Sequence, residues 1–487
     1  MAAHAKLMPY YKKDISGMHN FLSELRQIVG TEHVLTDTDA MHPYLQDYRG
    51  RFVGTGLAVV RPSSTEQVAA IVTLCAAHKI AIVPQGGNTG LVGGSIPYHT
   101  NQIVINLSRM NNIREIDAAN FTMTVEAGCV LSTIQQAAQD NNRYFPLSLA
   151  SEGSCQIGGN IASNAGGILT IRYGNTRDLV LGIEAVLPDG TIWNGLRSLR
   201  KDNSGYDLKH LFIGSEGTLG IITAAVLKLY PDPGQRETFF AAMHSLDDVI
   251  TLLGRMRAKF GDGLQAFELI ARRGVEFALQ YNTQCSDPVA TQSDWYVLAE
   301  IAGGAHDDNT LRIALENALG QAFEDNLITD ATIAQNEGQR TMFWTLRESV
   351  SDAQRYVGGS IKHDISVPVS KIPAFIREAS TLVHELIDGV RPVIFGHVGD
   401  GNLHFNLTQP EQSDKEEFLA RWDDINHHVH NIVQHYGGSI AAEHGVGTFK
   451  RDEMAMRKSP VEMALMRHIK NAIDPHNLMN PDKVLNT

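Results

Sequence analysis

Apolar residues recur along this chain with two different periods. From about 57 to 230, short runs rich in β-branched residues (57–60, 80–84, 103–107, 122–126, 183–187 and 221–229) alternate with windows of helical spacing. The runs read as strands and the windows as helices packed against them. Ser64-Thr65-Glu66-Gln67 immediately precedes one such window, so a helix is expected to start there with Ser64 or Thr65 as its cap. Phe21, Leu22, Leu25 and Ile28 share one helical face, and residues 1–50 read as a helical lead-in. Pro231-Asp-Pro-Gly234 is a strong break. After it, longer helical windows (245–260, 308–326, 372–388) alternate with strand-like segments (295–301, 361–369, 391–396). The pattern predicts an α+β protein with a first domain over 51–232, a second over 233–440 and a segment 441–487. That last segment is too poor in apolar residues to stand alone and is expected to pack back on the first domain.

Composition narrows the class. A chain of 487 residues, 43% apolar and 20% charged, is long enough for two or three packed domains. A net charge of −13 argues against nucleic acid, whose binding needs cations to neutralise phosphates. It leaves small anionic substrates open, since these need only a local cluster of positive charge. Lys6, Lys12 and Lys13 come without an apolar h-region, and no run is long and apolar enough to span a bilayer, so neither a secretory signal nor a membrane helix is expected. Cys75, Cys129, Cys155 and Cys285 are scattered and read as reduced thiols in the cytoplasm or a similar compartment.

Three segments are rich in glycine and small polar residues. Residues 84–97 read Pro-Gln-Gly-Gly-Asn-Thr-Gly-Leu-Val-Gly-Gly-Ser-Ile-Pro, after an apolar strand. Residues 151–167 repeat the composition, and Gly214-Ser-Glu-Gly-Thr-Leu-Gly220 precedes another strand. Such loops leave many backbone N–H groups uncovered and can wrap a pyrophosphate closely. Gly-Lys-Ser/Thr is absent, so this is no P-loop. No Gly-x-Gly-x-x-Gly joins a strand to a helix, so a nicotinamide site is not supported. A large phosphate-bearing cofactor of another kind is expected.

A different chemistry is concentrated near the C-terminus. Residues 397–406 read His-Val-Gly-Asp-Gly-Asn-Leu-His-Phe-Asn, and 442–447 read Ala-Glu-His-Gly-Val-Gly. With Asp400-Gly401 as a two-residue turn, His397 and His404 become a directly opposed cross-strand pair, Cβ atoms about 5 Å apart. Two imidazoles and the Glu443 carboxylate suit zinc or a similar divalent ion, with positions left for substrate. His427, His428, His430 and His435 lie off the apolar stripe of Ile425, Val429, Ile432, Val433 and Tyr436, and are read as solvated surface. Arg347 and Ser351 share a helical face, and Lys362 stands in a strand-like run. On the residues alone, Arg347 and Lys362 could converge on a carboxylate, or stand as a surface arginine and a lysine paired with Asp364.

The glycine-rich loops resemble the FAD-binding domain of the vanillyl-alcohol oxidase superfamily. Taken with Gly-His-Val-Gly-Asp-Gly-Asn-Leu-His, Glu-His-Gly-Val-Gly and the closing Asn480-Pro-Asp-Lys483, they strongly resemble the FAD-linked D-2-hydroxyacid dehydrogenases over roughly 40–487. That family includes D-2-hydroxyglutarate and D-lactate dehydrogenases and the glycolate oxidase catalytic subunit. The resemblance implies a two-subdomain FAD-binding domain, then an α+β substrate cap domain. Pro84, Gly86, Gly87, Asn88, Thr89, Gly90, Gly94 and Ser95 would hold the FAD pyrophosphate. Ser151, Gly153, Gly158, Asn160, Ala162 and Asn164 would line the second wall, Ile221 or Ile222 would touch the ring system, and Asn480 would join the cofactor site. Asn88 stands where covalent members often carry His, so noncovalent FAD is expected. His397, His404 and Glu443 would bind zinc, His444 would be the acid–base residue, and Asn406, Arg347, Ser351 and Lys362 would hold substrate.

The reaction expected is oxidation of a D-2-hydroxyacid, D-2-hydroxyglutarate foremost, with electrons passed to an electron-transfer flavoprotein or a quinone. A homodimer is expected. D-lactate, D-malate and glycolate remain alternative substrates. Two other classes stay open: a metal-free flavin oxidase of alcohols or sugars, and a flavoprotein subunit that only relays electrons.

Overall fold

Three sheets organise the chain. The computed structural model describes residues 15–304 and 309–486, with side chains from residue 18. Of the expected lead-in, residues 1–14 lie outside the described residues. The helix Ile15–Val29 follows them and buries Phe21 and Leu25.

The first sheet has four strands in the order Val34–Leu35, Ala58–Val60, Gln102–Asn106, Ala81–Gln85. The last three run parallel, with Ile103, Val104 and Ile105 central. Helix Thr65–His78 connects two of them and lays Val68, Ile71, Val72 and Cys75 on the sheet. Its start is set by Ser64, whose side chain accepts the Gln67 N–H. The second sheet is antiparallel, in the order Ile113–Asp117, Thr122–Glu126, Ile221–Lys228, Val180–Val186, Ile192–Gly195. It has its own apolar core beneath the helices Leu131–Asp140 and Ile157–Ser163.

The third sheet follows the break at 231–234. Its path runs Ile328–Ile333, Arg236–Met243, Trp295–Ala302, Leu264–Ala271, Arg391–Gly396, Asn402–Thr408, Ser360–Ile361, with Asp364–Ser366 also paired to Asn402–Thr408. The helices Leu246–Phe260, Thr310–Glu324 and Ile372–Leu386 occupy the expected windows, although residue 308 lies outside the described residues. They form one core with this sheet, and the long helix Glu337–Val357 packs elsewhere, in a second apolar cluster. The C-terminal segment returns to the first sheet. Met479 pairs alongside Ile82 and sits in the first core, while Lys470 donates to the Thr218 carbonyl.

Two expectations fail here. The predicted tight turn at Asp400-Gly401 does not form. His404 is opposite Phe395, not His397, and the pairing of these two strands stops there. The neighbouring strand Leu264–Ala271 explains the difference. Its Phe267 carbonyl takes the Gly399 N–H and its Glu268 carboxylate takes the His397 Nδ1–H, which pulls residues 397–401 into a wider loop. His430 is not surface either. It is buried and donates from Nδ1 to Glu453 at 2.6 Å, because the helix Arg451–Arg457 covers that side of its own helix.

Candidate functional site

The two glycine-rich loops face one another across a cleft. Strand Ala81–Gln85 delivers Pro84, then Gly86, Gly87, Asn88, Thr89 and Gly90, to one wall, with Gly94 and Ser95 beyond them. Helix Ile157–Ser163 contributes Gly158, Asn160 and Ala162 opposite, and Ile221 and Ile222 complete the lining. The walls are tight between themselves and open toward the cleft. A Cβ on Gly87 would stand 2.2 Å from the Ser154 carbonyl oxygen, whereas a Cβ on Gly90 or Gly159 would meet no atom within 4 Å. Gln156 Oε1 and Asn160 Oδ1, both on the lining, are buried without a hydrogen-bond partner. An orphan of that kind costs about 1–3 kcal/mol, so the wall is built for a ligand that brings donors. The hydroxyls and ring N–H of a flavin dinucleotide fit it.

The other expected cofactor residues do not line this cleft. The Ser151 carbonyl accepts from Ser154 and Cys155 in a turn whose tip is Gly153. Asn164 ends helix Ile157–Ser163 at φ 51° and accepts the Arg177 N–H at 2.9 Å. Asn480 is buried behind the loops, donating to the Gly94 carbonyl at 2.9 Å and the Glu216 carbonyl at 2.7 Å. Asn88 lines the cleft, but its amide donates to the Gln46 carbonyl at 2.8 Å and accepts from Ser95 at 2.9 Å.

His397, His404 and Glu443 come together despite the altered hairpin. One ligand atom from each lies within 4.8 Å of the others. Nε2 of His397 is 3.6 Å from Glu443, and Nε2 of His404 is 3.5 Å from it. Bonds of about 2.0–2.1 Å to one tetrahedral ion would place ligand atoms about 3.4 Å apart, close to the distance of each imidazole from the Glu443 carboxylate. The tautomer is set as well. His397 Nδ1 donates to Glu268 at 2.6 Å, which leaves Nε2 for a ligand. Burial opposes a charge on His397, but the Glu268 and Glu443 carboxylates together outweigh it and push the imidazole up to about 10. The site therefore attracts positive charge. Burial drives His404 down to about 3, into the neutral form that ligates metals. A second trio, Asp364, Glu443 and His444, is equally close. Asp364, however, already has the Lys450 ammonium at 3.3 Å and the backbone N–H groups of Glu443 and His444. Its charge is balanced, which favours the first trio.

His444 borders both regions. Its imidazole lies on the lining of the glycine-rich cleft and stacks beside His404 with ring centres 5.9 Å apart. Nδ1 is 3.4 Å from Asp364 and Nε2 is 3.4 Å from Glu443.

The expected substrate residues lie on the long helix and the adjoining strands. Arg347 is buried and donates from Nε to Glu268 at 2.8 Å, its guanidinium over the Phe395 ring. Lys362 Nζ donates to the Ser351 carbonyl at 3.0 Å, one helical turn beyond Arg347, and does not pair with Asp364. Asn406 accepts the His363 N–H and donates to Gln354, so it braces the site from behind.

Sequence reasoning missed three carboxylates. Glu268 is fully buried and joins Arg347 to His397. A lone acid inside Leu-Gln-Ala-Phe-Glu-Leu-Ile-Ala was the available signal. Asp364 drew no attention beyond its place beside Lys362 in the strand-like run. Glu216 sits inside a glycine-rich loop that was noticed, where an acid would repel a phosphate unless it had donors of its own.

The chain matches the FAD-binding domain over residues 56–195 and the C-terminal domain of FAD-linked oxidases over 232–484. A probable D-2-hydroxyglutarate dehydrogenase, mitochondrial, of Oryza sativa subsp. indica is 39% identical over 488 residues, covering 99% of this chain and 84% of that protein. A D-2-hydroxyglutarate dehydrogenase of Xanthomonas citri is 38% identical over 464 residues, covering 95% of this chain and 96% of the other. This chain belongs to the FAD-linked D-2-hydroxyacid dehydrogenase family. Its fold is also that of p-cresol methylhydroxylase solved with substrate bound, with a TM-score of 0.74 at 19% identity over 97% of this chain and 98% of the other. The fold expected from the sequence is thus the fold found. The FAD-binding match contains both glycine-rich walls of the cleft. Gly87→Ala is therefore expected to force those walls apart and to lower the flavin content of the purified protein at least about tenfold, as read by visible absorbance. A full flavin complement would show that the walls do not need that close approach. Among the described residues no helix is long and apolar enough to cross a membrane.

Proposed function

We propose that this protein oxidises D-2-hydroxyglutarate to 2-oxoglutarate, using noncovalent FAD and a divalent ion, zinc foremost. The observation that carries the reading is the position of His444, on the lining of the FAD cleft and 3.4 Å from a carboxylate of the metal-binding trio. When bound, the flavin accepts the hydride from the substrate's α-carbon and the ion acidifies its hydroxyl. The protein's own groups do the rest. His397, His404 and Glu443 hold the ion, and Glu268 keeps His397 in the ligating tautomer. Nδ1 of His444 faces Asp364, so Nε2 is the atom that accepts the hydroxyl proton. Arg347 and Lys362 receive the distal carboxylate, with the Ser351 hydroxyl beside them. An anaerobic screen of D- and L-hydroxyacids for flavin bleaching, with metal analysis of the same sample, tests the proposal. Bleaching by D-2-hydroxyglutarate in a metal-loaded sample is expected. A yellow protein that no hydroxyacid reduces rejects it.

Lys362 gives the reading a pH signature. Burial, then Arg49 and Arg355, push its amine down to about 7. A bound carboxylate favours the ammonium form. Binding is therefore tightest below pH 7, where the amine is already charged, and weakens as pH rises because each complex must take up a proton. KM for D-2-hydroxyglutarate is expected to climb toward about tenfold per pH unit above 7. D-lactate, which lacks the second carboxylate, should show no such rise, and Lys362→Ala should flatten the profile for D-2-hydroxyglutarate. The same KM–pH slope for both substrates would remove Lys362 from distal recognition.

We assign the onward electrons to an electron-transfer flavoprotein or a quinone, because the sequence carries no nicotinamide-binding loop. The four unpaired thiols suit a reducing compartment, cytoplasm or mitochondrial matrix. A homodimer is proposed with it.

A further inference from the structure

Glu216 stands where a carboxylate is least expected. It lies between Gly214 and Gly217 with its own backbone in the left-handed region, φ 53°. Glycine would hold that conformation without strain, so the glutamate is there for its side chain. Oε1 accepts the N–H of Val446 at 2.7 Å and Oε2 accepts the N–H of Gly447 at 2.8 Å. Both donors belong to the loop that carries His444. The Glu216 backbone is tied just as closely to the cofactor cleft. Its N–H donates to the Ala162 carbonyl at 2.8 Å, on one glycine-rich wall. Its carbonyl accepts from Asn480 at 2.7 Å, and the same amide donates to Gly94 on the other wall. The packing has no slack. A Cβ on Gly445 would come within 2.8 Å of Glu216 Oε1, and one on Gly94 within 3.2 Å of Oε2.

The His444 loop is thus gripped from two sides. Asp364, from the large sheet, takes the N–H groups of Glu443 and His444. Glu216, from the strand-leading loop of the FAD-binding half, takes those of Val446 and Gly447. We propose that Glu216 is a positioning residue that registers His444 against the flavin, so that seating of the cofactor between its two walls also sets the base. This inference rests on His444 being the proton acceptor.

Glu216→Gln tests it. The amide keeps one acceptor and turns an NH2 group on the other backbone N–H. Flavin content and visible spectrum are expected to match the parent, with the melting temperature lowered by only about 2–6 °C for the lost backbone hydrogen bond. Anaerobic flavin reduction by D-2-hydroxyglutarate should slow about 10- to 100-fold, with KM changed less than about twofold and reoxidation by a dye unchanged. Amide hydrogen exchange across 443–447 should quicken in the flavin-loaded protein without substrate. Glu216→Asp, which keeps the charge and both acceptors, should recover part of the rate. On a His444→Asn background, Glu216→Gln should cost nothing more. Reduction at the parent rate, a loss that merely follows flavin content, or full additivity with His444→Asn would each overturn the assignment. If His444→Asn alone reduces normally, the functional reading falls. If that variant is slow but Glu216→Gln is not, only the role of Glu216 falls.

Discussion

His444→Asn is expected to leave the protein yellow and to slow anaerobic flavin reduction by D-2-hydroxyglutarate about 10³-fold, roughly 4 kcal/mol of barrier. The size follows from placement. His444 is the imidazole that lines the FAD cleft and also stands at hydrogen-bonding range of Asp364 and Glu443. Its side chain is 29% exposed, so its removal opens no deep cavity and the fold should survive. Asparagine fills a similar volume and retains polar contact with Asp364, but it cannot accept a proton at neutral pH. The loss should therefore appear in kcat, while KM, which the proposed contacts of Arg347, Lys362 and a metal ion would set, changes little. The measurement is stopped-flow flavin bleaching at saturating substrate, beside a melting curve. A rate within about fivefold of the parent would take His444 out of proton transfer.

The sequence was most informative where chemistry is written in short segments. The Glu443-His444 pair and the glycine loops are local, and their positions follow from local backbone. Strand Ala81–Gln85 and the Ser64 cap were legible for the same reason: period and capping are near-neighbour effects. Partnerships across the sheet were not. Glu268 lies far from Arg347 and His397 in sequence, and only the order of strands brings it between them. The register of the 391–408 hairpin was misjudged because turn propensity was weighed without the neighbouring strand that claims Gly399 and His397. His430 was misjudged because one helical stripe was assumed, while the helix Arg451–Arg457 buries a second. His397, His404 and Glu443 still come within 4.8 Å of one another despite the different hairpin, because long imidazoles tolerate a shifted backbone when Glu443 arrives from elsewhere.

Dialysis against a strong chelator is expected to remove activity while leaving flavin absorbance intact, and zinc added back is expected to restore it. The two sites separate because their walls are different. The FAD cleft is made of glycine-rich backbone, whereas the trio is two imidazoles and a carboxylate in the large sheet and the His444 loop. The expected loss is at least about 10³-fold, since a hydroxyl that is not acidified holds its proton far more tightly than His444 can take it. His404→Ala should reproduce the loss without rescue by added zinc. Glu268→Gln should act more mildly and differently. It frees His397 from its fixed tautomer and leaves Arg347 without its carboxylate, so the concentration of zinc needed for half-restoration should rise about 10- to 100-fold while full activity returns at excess metal. The pH dependence has a definite sign. With Glu268 and Glu443 holding His397 up to about 10, an ion must displace that proton to bind, so zinc affinity should strengthen as pH rises from 6 to 8. Full activity in a sample shown by elemental analysis to carry no divalent ion would leave the three ligands as an ordinary buried polar cluster and the chemistry as that of a metal-free flavoprotein.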